Sequence, residues 1–187
     1  MSHLTIKEKE TGVFQKMKEA FHYKNVMAAP KTKKVVINTG TGTAMKKDKN
    51  KNEAIAGRLT KITGQKASLR GAKQSISSFK VRQGDPIGII VTMRGKRMYA
   101  FLEKLINVAL PRTKDFRGIS GKAVDNVGNL TIGVKEHTIF PETADEDIKD
   151  VFGMSVTLVS TAKNKKEGLA FFEILGIPFK KKEENKK

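Results

Sequence analysis

A chain of 187 residues with 37 Lys and Arg against 19 Asp and Glu, a formal charge of +18, is long enough for one good-sized domain and carries the charge of a protein whose partner is an anion. It has no Cys, which excludes a disulfide scaffold, a thiolate metal site and a Cys nucleophile together. The apolar share of 38% suffices for a core, but no apolar run is long enough to span a bilayer, and the opening MSHLTIKEKETG lacks the apolar centre of a secretion signal.

Residues 5–21 read as a helix lying on the domain rather than at its centre. Thr5 and Glu8 have the spacing of a capping box, and Val13, Phe14, Met17 and Phe21 recur at helical spacing. A linker closed by Pro30 leads to a strand at 33–40, where Val35, Val36 and Ile37 are adjacent β-branched residues. The segment GTGTAMKKDKNKN that follows reads as a flexible polar turn. Gly40 and Gly42 invite a dinucleotide reading, but position 45 is Met45, not the third small residue that fingerprint needs.

Residues 53–62 form a second predicted helix, with Ile55, Leu59 and Ile62 on one side and Gly64 as its left-handed stop. A short strand is expected at 66–69 and a buried one at 87–92. The polar connection between them, 71–84, should make an extended hairpin whose second half, around Phe79 and Val81, is strand-like. From Ile55 to Gly84 there is no carboxylate, whereas Arg58, Lys61, Lys66, Arg70, Lys73, Lys80 and Arg82 are all cationic. Long loops flanked by strands are commonly functional. Hydroxyls, an amide and the aromatic Phe79 amid this charge are the groups that read RNA.

Residues 96–110 are predicted as a helix with a broad apolar face, ended by Pro111. A basic, turn-rich linker, RTKDFRGISG, follows, in which Phe116 is expected to pin the loop to the core. A strand is expected at 128–135. The carboxylates Glu136, Glu142, Asp145, Glu146, Asp147 and Asp150 then form an acidic patch, read as a solvated loop or a docking surface for a basic protein. A half-buried strand at 154–161, a helix at 165–175 and a basic tail complete the chain. The histidines, His3, His22 and His137, have no metal-ligand spacing and read as surface residues, and no nucleophile or phosphate-loop motif occurs. No metal, cofactor or catalytic residue is expected.

The tally predicts an α+β fold: an open, mainly antiparallel sheet with helices packed on one face, RRM-like in general architecture but without the paired aromatics of that motif, and with a long basic hairpin loop. Residues 1–179 are expected to form a single RNA-binding domain with an N-terminal helix, and 180–187 a disordered tail.

Several segments resemble one family. YKNVMAAPKTKKVVINTGTG, then ITGQKASLRGAKQSISSFKVRQGDPIGIIVTMRGKRMYAFLEKLI, LPRTKDFRGIS and GNLTIGVKEHTIFPE are similar, in that order, to the universal large-subunit ribosomal protein L five family, whose members bind 5S ribosomal RNA. The resemblance implies a structural constituent of the large subunit, cytoplasmic, seating 5S rRNA in the central protuberance. It places the 5S-facing groups at Asn38, Gln65, Phe79 and Thr92, with Arg58, Lys66 and Arg94 as further anchors. It implies that the loop bearing Arg70, Lys73, Gln74, Ser75, Ser77, Ser78 and Lys80 reaches the peptidyl-site tRNA. It also implies that Arg112, Lys114, Asp115, Phe116, Arg117 and Glu142 face a small-subunit head protein in an intersubunit bridge. Large-subunit rRNA and neighbouring large-subunit proteins are further implied partners; neither a membrane nor a second copy of the chain is. Thr39 departs from the family, which commonly has Met there. The alternative class is an assembly factor or RNA-acting enzyme that binds rRNA transiently.

Overall fold

The computed structural model describes residues 4–42, 51–114, 116–143 and 151–180. The predicted N-terminal helix is two, α1 (Ile6–Thr11) and α2 (Val13–Phe21), divided at Gly12. The capping box is formed: Thr5 Oγ1 accepts from the Glu8 amide at 3.3 Å and Glu8 Oε2 accepts from the Thr5 amide at 2.8 Å. These helices are not peripheral. Ile6, Val13 and Met17 fall on one face and are buried in the common core, where α1 and α2 pack on the C-terminal helix α5 (Lys165–Leu175). Polar ties reinforce the packing. Glu10 accepts from the Thr32 amide at 3.3 Å and from the Tyr99 hydroxyl at 3.0 Å, and Glu103 accepts from the Ile6 amide at 3.2 Å.

The sheet is built from β1 (Thr32–Gly40), β2 (Ser68–Gly71), β3 (Pro86–Met93), β4 (Leu130–Val134) and β5 (Met154–Ser160). Its order is β2-β3-β1-β5-β4, and every pairing is antiparallel. Successive side chains of a strand point to opposite faces. One face therefore carries Val35 and Ile37, Ile89, Val91 and Met93, Ile132 and Val134, and Val156 and Leu158, all buried. Against it lie α3 (Lys51–Thr63), through Ile55, Leu59 and Ile62, and α4 (Gly95–Lys104), through Met98, Phe101 and Leu102. This is the α+β sandwich of one sheet and one helical layer expected from the sequence.

Three local features differ from expectation. The helix expected at 96–110 is α-helical only to Lys104 and continues as a π turn over Leu105–Ala109, closed by the Leu110 amide donating to the Leu105 carbonyl at 2.9 Å; the wider turn keeps Leu105, Ile106, Ala109 and Leu110 all in the core. β2 begins two residues later than expected, so Gln65 and Lys66 sit in the turn after α3. His137 is fully buried, its ring stacked on Phe152 at 4.2 Å and its Nδ1 accepting from the Phe152 amide at 3.4 Å; polar neighbours in sequence hid an inward-facing position. The polar turn expected at 43–50, the carboxylates Asp145, Glu146, Asp147 and Asp150, and the tail at 181–187 lie outside the described residues.

The turn before β4 is held by Asp125, whose carboxylate accepts from the Asn129 amide at 2.7 Å and the Val127 amide at 3.0 Å. Burial raises its pKa, but the donors from Asn129, Val127 and Gly128 outweigh that and hold it below the usual value. The turn delivers Gly128, at φ +84°, against Gly168 of α5, where a Cβ would come within 2.7 Å of the Gly128 Cα.

Candidate nucleic-acid interface

The second face of the sheet is not covered by the helical layer. Its residues are fixed by register. Ser68 opposes Ile90, Ile90 opposes Asn38, Asn38 opposes Ser155, and Ser155 opposes Gly133, so one residue from each of the five strands forms a row across the sheet. A second row runs Thr92, Val36, Thr157, Thr131, with the last two hydroxyls 3.1 Å apart. Asn38, Gly133 and Thr131 are exposed and the neighbours in these rows at least half-exposed or partly so. The rows carry hydroxyls, an amide and short apolar side chains. Charge sits at their margins, on Lys34, Lys66, Arg70 and Arg94. Such a surface presents hydrogen-bonding groups to ribose hydroxyls and base edges, while cations at the rim meet phosphates.

Three of the four residues expected to face 5S rRNA come together here. Asn38 and Thr92 lie on this face, on adjacent strands. Gln65 reaches it from the α3–β2 turn: Gly64, at φ +66°, reverses the chain, and Gln65 Nε2 donates to the Thr92 carbonyl at 3.1 Å. Lys66 and Arg94 are exposed and Arg58 is half-buried on α3.

Phe79 is elsewhere. It stands beyond the end of the sheet, in the loop joining β2 to β3, on a short 3₁₀ turn (Ser77–Phe79) rather than in a strand. The loop is itself a small hairpin. Ile76 and Val81 pair through reciprocal backbone bonds of 3.0 and 3.3 Å, Lys80 takes the left-handed position at φ 52°, and Ser75 Oγ accepts from the Gln83 amide at 2.9 Å. Arg70, Lys73, Gln74, Ser75, Ser77, Ser78 and Lys80 are all exposed on it. Asp85, which ends this carboxylate-free stretch, is turned inward to the Arg82 amide at 2.8 Å.

The third group of residues is divided. Arg112, Lys114 and Phe116 line a cleft of about 670 Å³ against β4, with Phe116 packed on the core as expected and Arg117 exposed nearby in sequence. Asp115 lies outside the described residues. Glu142 is bound by Lys104, whose ammonium also donates to the Ile62 carbonyl at 2.7 Å. One cation thus ties the end of α3 to the turn that precedes residues 144–150.

The sequence reading did not single out Ser155, Thr157, Thr131 or Gly133. The alternation of β4 and β5 was the available signal, since it puts these four opposite the buried residues; only the register puts them beside Asn38.

Comparison with known proteins bears on the same residues. Residues 25–82 match the family described as Ribosomal protein L5, and residues 86–179 match the ribosomal L5 family C-terminus. The Large ribosomal subunit protein uL5 of Trichlorobacter lovleyi is 51% identical over 171 residues, 91% of this chain and 95% of that protein. The protein of the same name from Lactococcus lactis subsp. cremoris is 46% identical over 177 residues, 94% of this chain and 98% of its own length. Large ribosomal subunit protein uL5c of Cyanophora paradoxa is 47% identical over 170 residues, 91% and 93% of the two chains. These names are those of ribosomal proteins, not enzymes.

Proposed function

The chain belongs to the ribosomal protein L5 family and is a protein of the large ribosomal subunit, and from that premise we propose that its open sheet face binds 5S rRNA and seats it in the central protuberance. The observation that carries this reading is the uncovered face itself: five strands contribute a continuous polar row, flanked by cations and free of carboxylates. In this reading Asn38 and Thr92 donate to or accept from ribose and phosphate oxygens, and Gln65 holds its amide beside Thr92. Lys66, Arg94 and Arg58 neutralise phosphates at the rim, releasing counterions. Phe79 adds an apolar contact from the loop.

The same reading assigns the loop from Arg70 to Lys80 to the peptidyl-site tRNA. Exposed cations and hydroxyls there suit backbone contact without sequence reading. The cleft at Arg112, Lys114 and Phe116, with Arg117, Asp115 and the turn at Glu142, is assigned to a small-subunit head protein. The test is titration of the purified chain against a 5S rRNA transcript at fixed moderate salt, beside an unrelated RNA of equal length. Tight binding to 5S rRNA over the unrelated RNA is expected; equal affinity for both overturns the assignment.

A further inference from the structure

The loop between β2 and β3 is the most cationic part of the described surface, yet it exposes large apolar side chains: Phe79 is 62% exposed and Ile76 46%. Cations alone would serve for contact with an RNA backbone. The apolar groups are not scattered. With Ile87 they wall a cleft of about 720 Å³, which Lys73 and Gln74 also line and which opens beside Gly40. Gly40 lies two residues along β1 from Asn38, and its partner Gly88 lies two along β3 from Ile90. The cleft is thus continuous with the end of the polar face. A flat apolar group carried by a polyanion matches it: apolar walls for the ring, Gln74 for a ring edge, Lys73 for the attached phosphate.

We propose that this cleft takes up one unstacked base of the RNA lying on the open sheet face, with Phe79 as the ring on which that base stacks. The proposal rests on the reading that 5S rRNA occupies that face. Phe79 is held ready by the Ile76–Val81 pairing and the left-handed Lys80, so little order is lost on binding.

The chain has no Trp, so Phe79→Trp installs a single fluorophore in the cleft. On titration with a 5S rRNA transcript its emission is expected to be strongly quenched by the stacked base. Phe79→Ala is expected to weaken binding by roughly 5- to 100-fold, the range for stacking one base. Phe79→Leu, which keeps an apolar wall but no ring, should recover little of that loss. Phe79 is exposed, so all three variants should keep wild-type thermal stability, and a matching melting curve is the control. Wild-type affinity in Phe79→Leu, or unchanged Trp emission on a chain saturated with RNA, overturns the base cleft while Asn38→Ala still weakens binding and leaves the sheet-face reading intact. Quenching that grows with protein concentration in the absence of RNA would instead make the cleft a contact between copies and also overturn it. If the wild-type chain does not bind the 5S transcript, the sheet-face reading fails first and the cleft proposal falls with it.

Discussion

The side-chain amide of Gln65 donates to the backbone carbonyl of Thr92 at 3.1 Å, fastening the turn after α3 to the open face of β3. Gln65 and Thr92 therefore act as a unit, and their replacements should not be additive. Thr92→Val removes a hydroxyl while keeping shape, and is expected to weaken 5S rRNA binding by about 1–3 kcal/mol with little change in stability. Gln65→Ala should do the same and shift the turn, and the double variant should lose less than the sum. A double-mutant cycle by RNA titration measures this; strict additivity would separate the two residues.

Lys80 stands on the loop tip with its side chain exposed, away from the polar rows. Lys80→Ala is expected to leave isolated 5S rRNA binding within about 0.5 kcal/mol, as most surface changes do. On assembled ribosomes it should weaken tRNA retention and lower the salt dependence of that contact by about one phosphate. Filter binding of tRNA to reconstituted ribosomes over a salt series reads both effects. Equal loss of 5S binding would contradict the division of labour between loop and sheet.

Gly128 and Gly168 meet backbone to backbone, and a Cβ on Gly168 would sit 2.9 Å from the Gly128 carbonyl oxygen as well as 2.7 Å from its Cα. Neither obstacle is a flexible side-chain end. Gly168→Ala should destabilise the fold by about 2 kcal/mol or more, in the range of overpacked cores, although alanine is the better helix former. Urea denaturation checks this, and a stabilised variant would show that the approach is not as close as described.

Thr39 lies on the core face of β1, 1% exposed, and its Oγ1 has no hydrogen-bond partner among the described residues. A buried hydroxyl without a partner carries a desolvation penalty that an apolar side chain of the same shape avoids. Thr39→Val is therefore expected to raise stability by about 1 kcal/mol without altering RNA affinity, read from paired denaturation and titration.

Tyr99 is pushed up to about 12 from the ordinary 10.0, by burial first and then by the carboxylate of Glu10, to which its hydroxyl donates. Burial, aided by Glu167, likewise raises Tyr23. Because the folded state holds these protons more tightly than the unfolded chain, their stabilising effect is complete below pH 10.0 and is lost as pH rises towards about 12. Stability measured by urea between pH 9 and 12, a window set by these values, should fall less steeply in the Tyr99→Phe variant than in wild type.

Local chemistry was enough to read much of this protein from its residues. The β-branched run at Val35, Val36 and Ile37, the alternation of Met154–Ser160, and the Thr5 and Gly64 caps act over a few residues and hold in any context, so the strands, most helix limits and the α+β class were legible. The carboxylate-free stretch around Phe79 and the motif resemblance pointed to RNA for the same reason: charge and residue type are properties of the chain. What no local pattern determines is which strands become neighbours. Asn38, Ser155 and Gly133 are far apart in sequence and form one row only because β5 pairs between β1 and β4. Phe79 leaves the strand for a 3₁₀ turn because Ile76 and Val81 pair across it, and His137 goes inward because Phe152 meets its ring. Residue types set the partner's chemistry; long-range pairing and packing decided which residues share a surface to meet it.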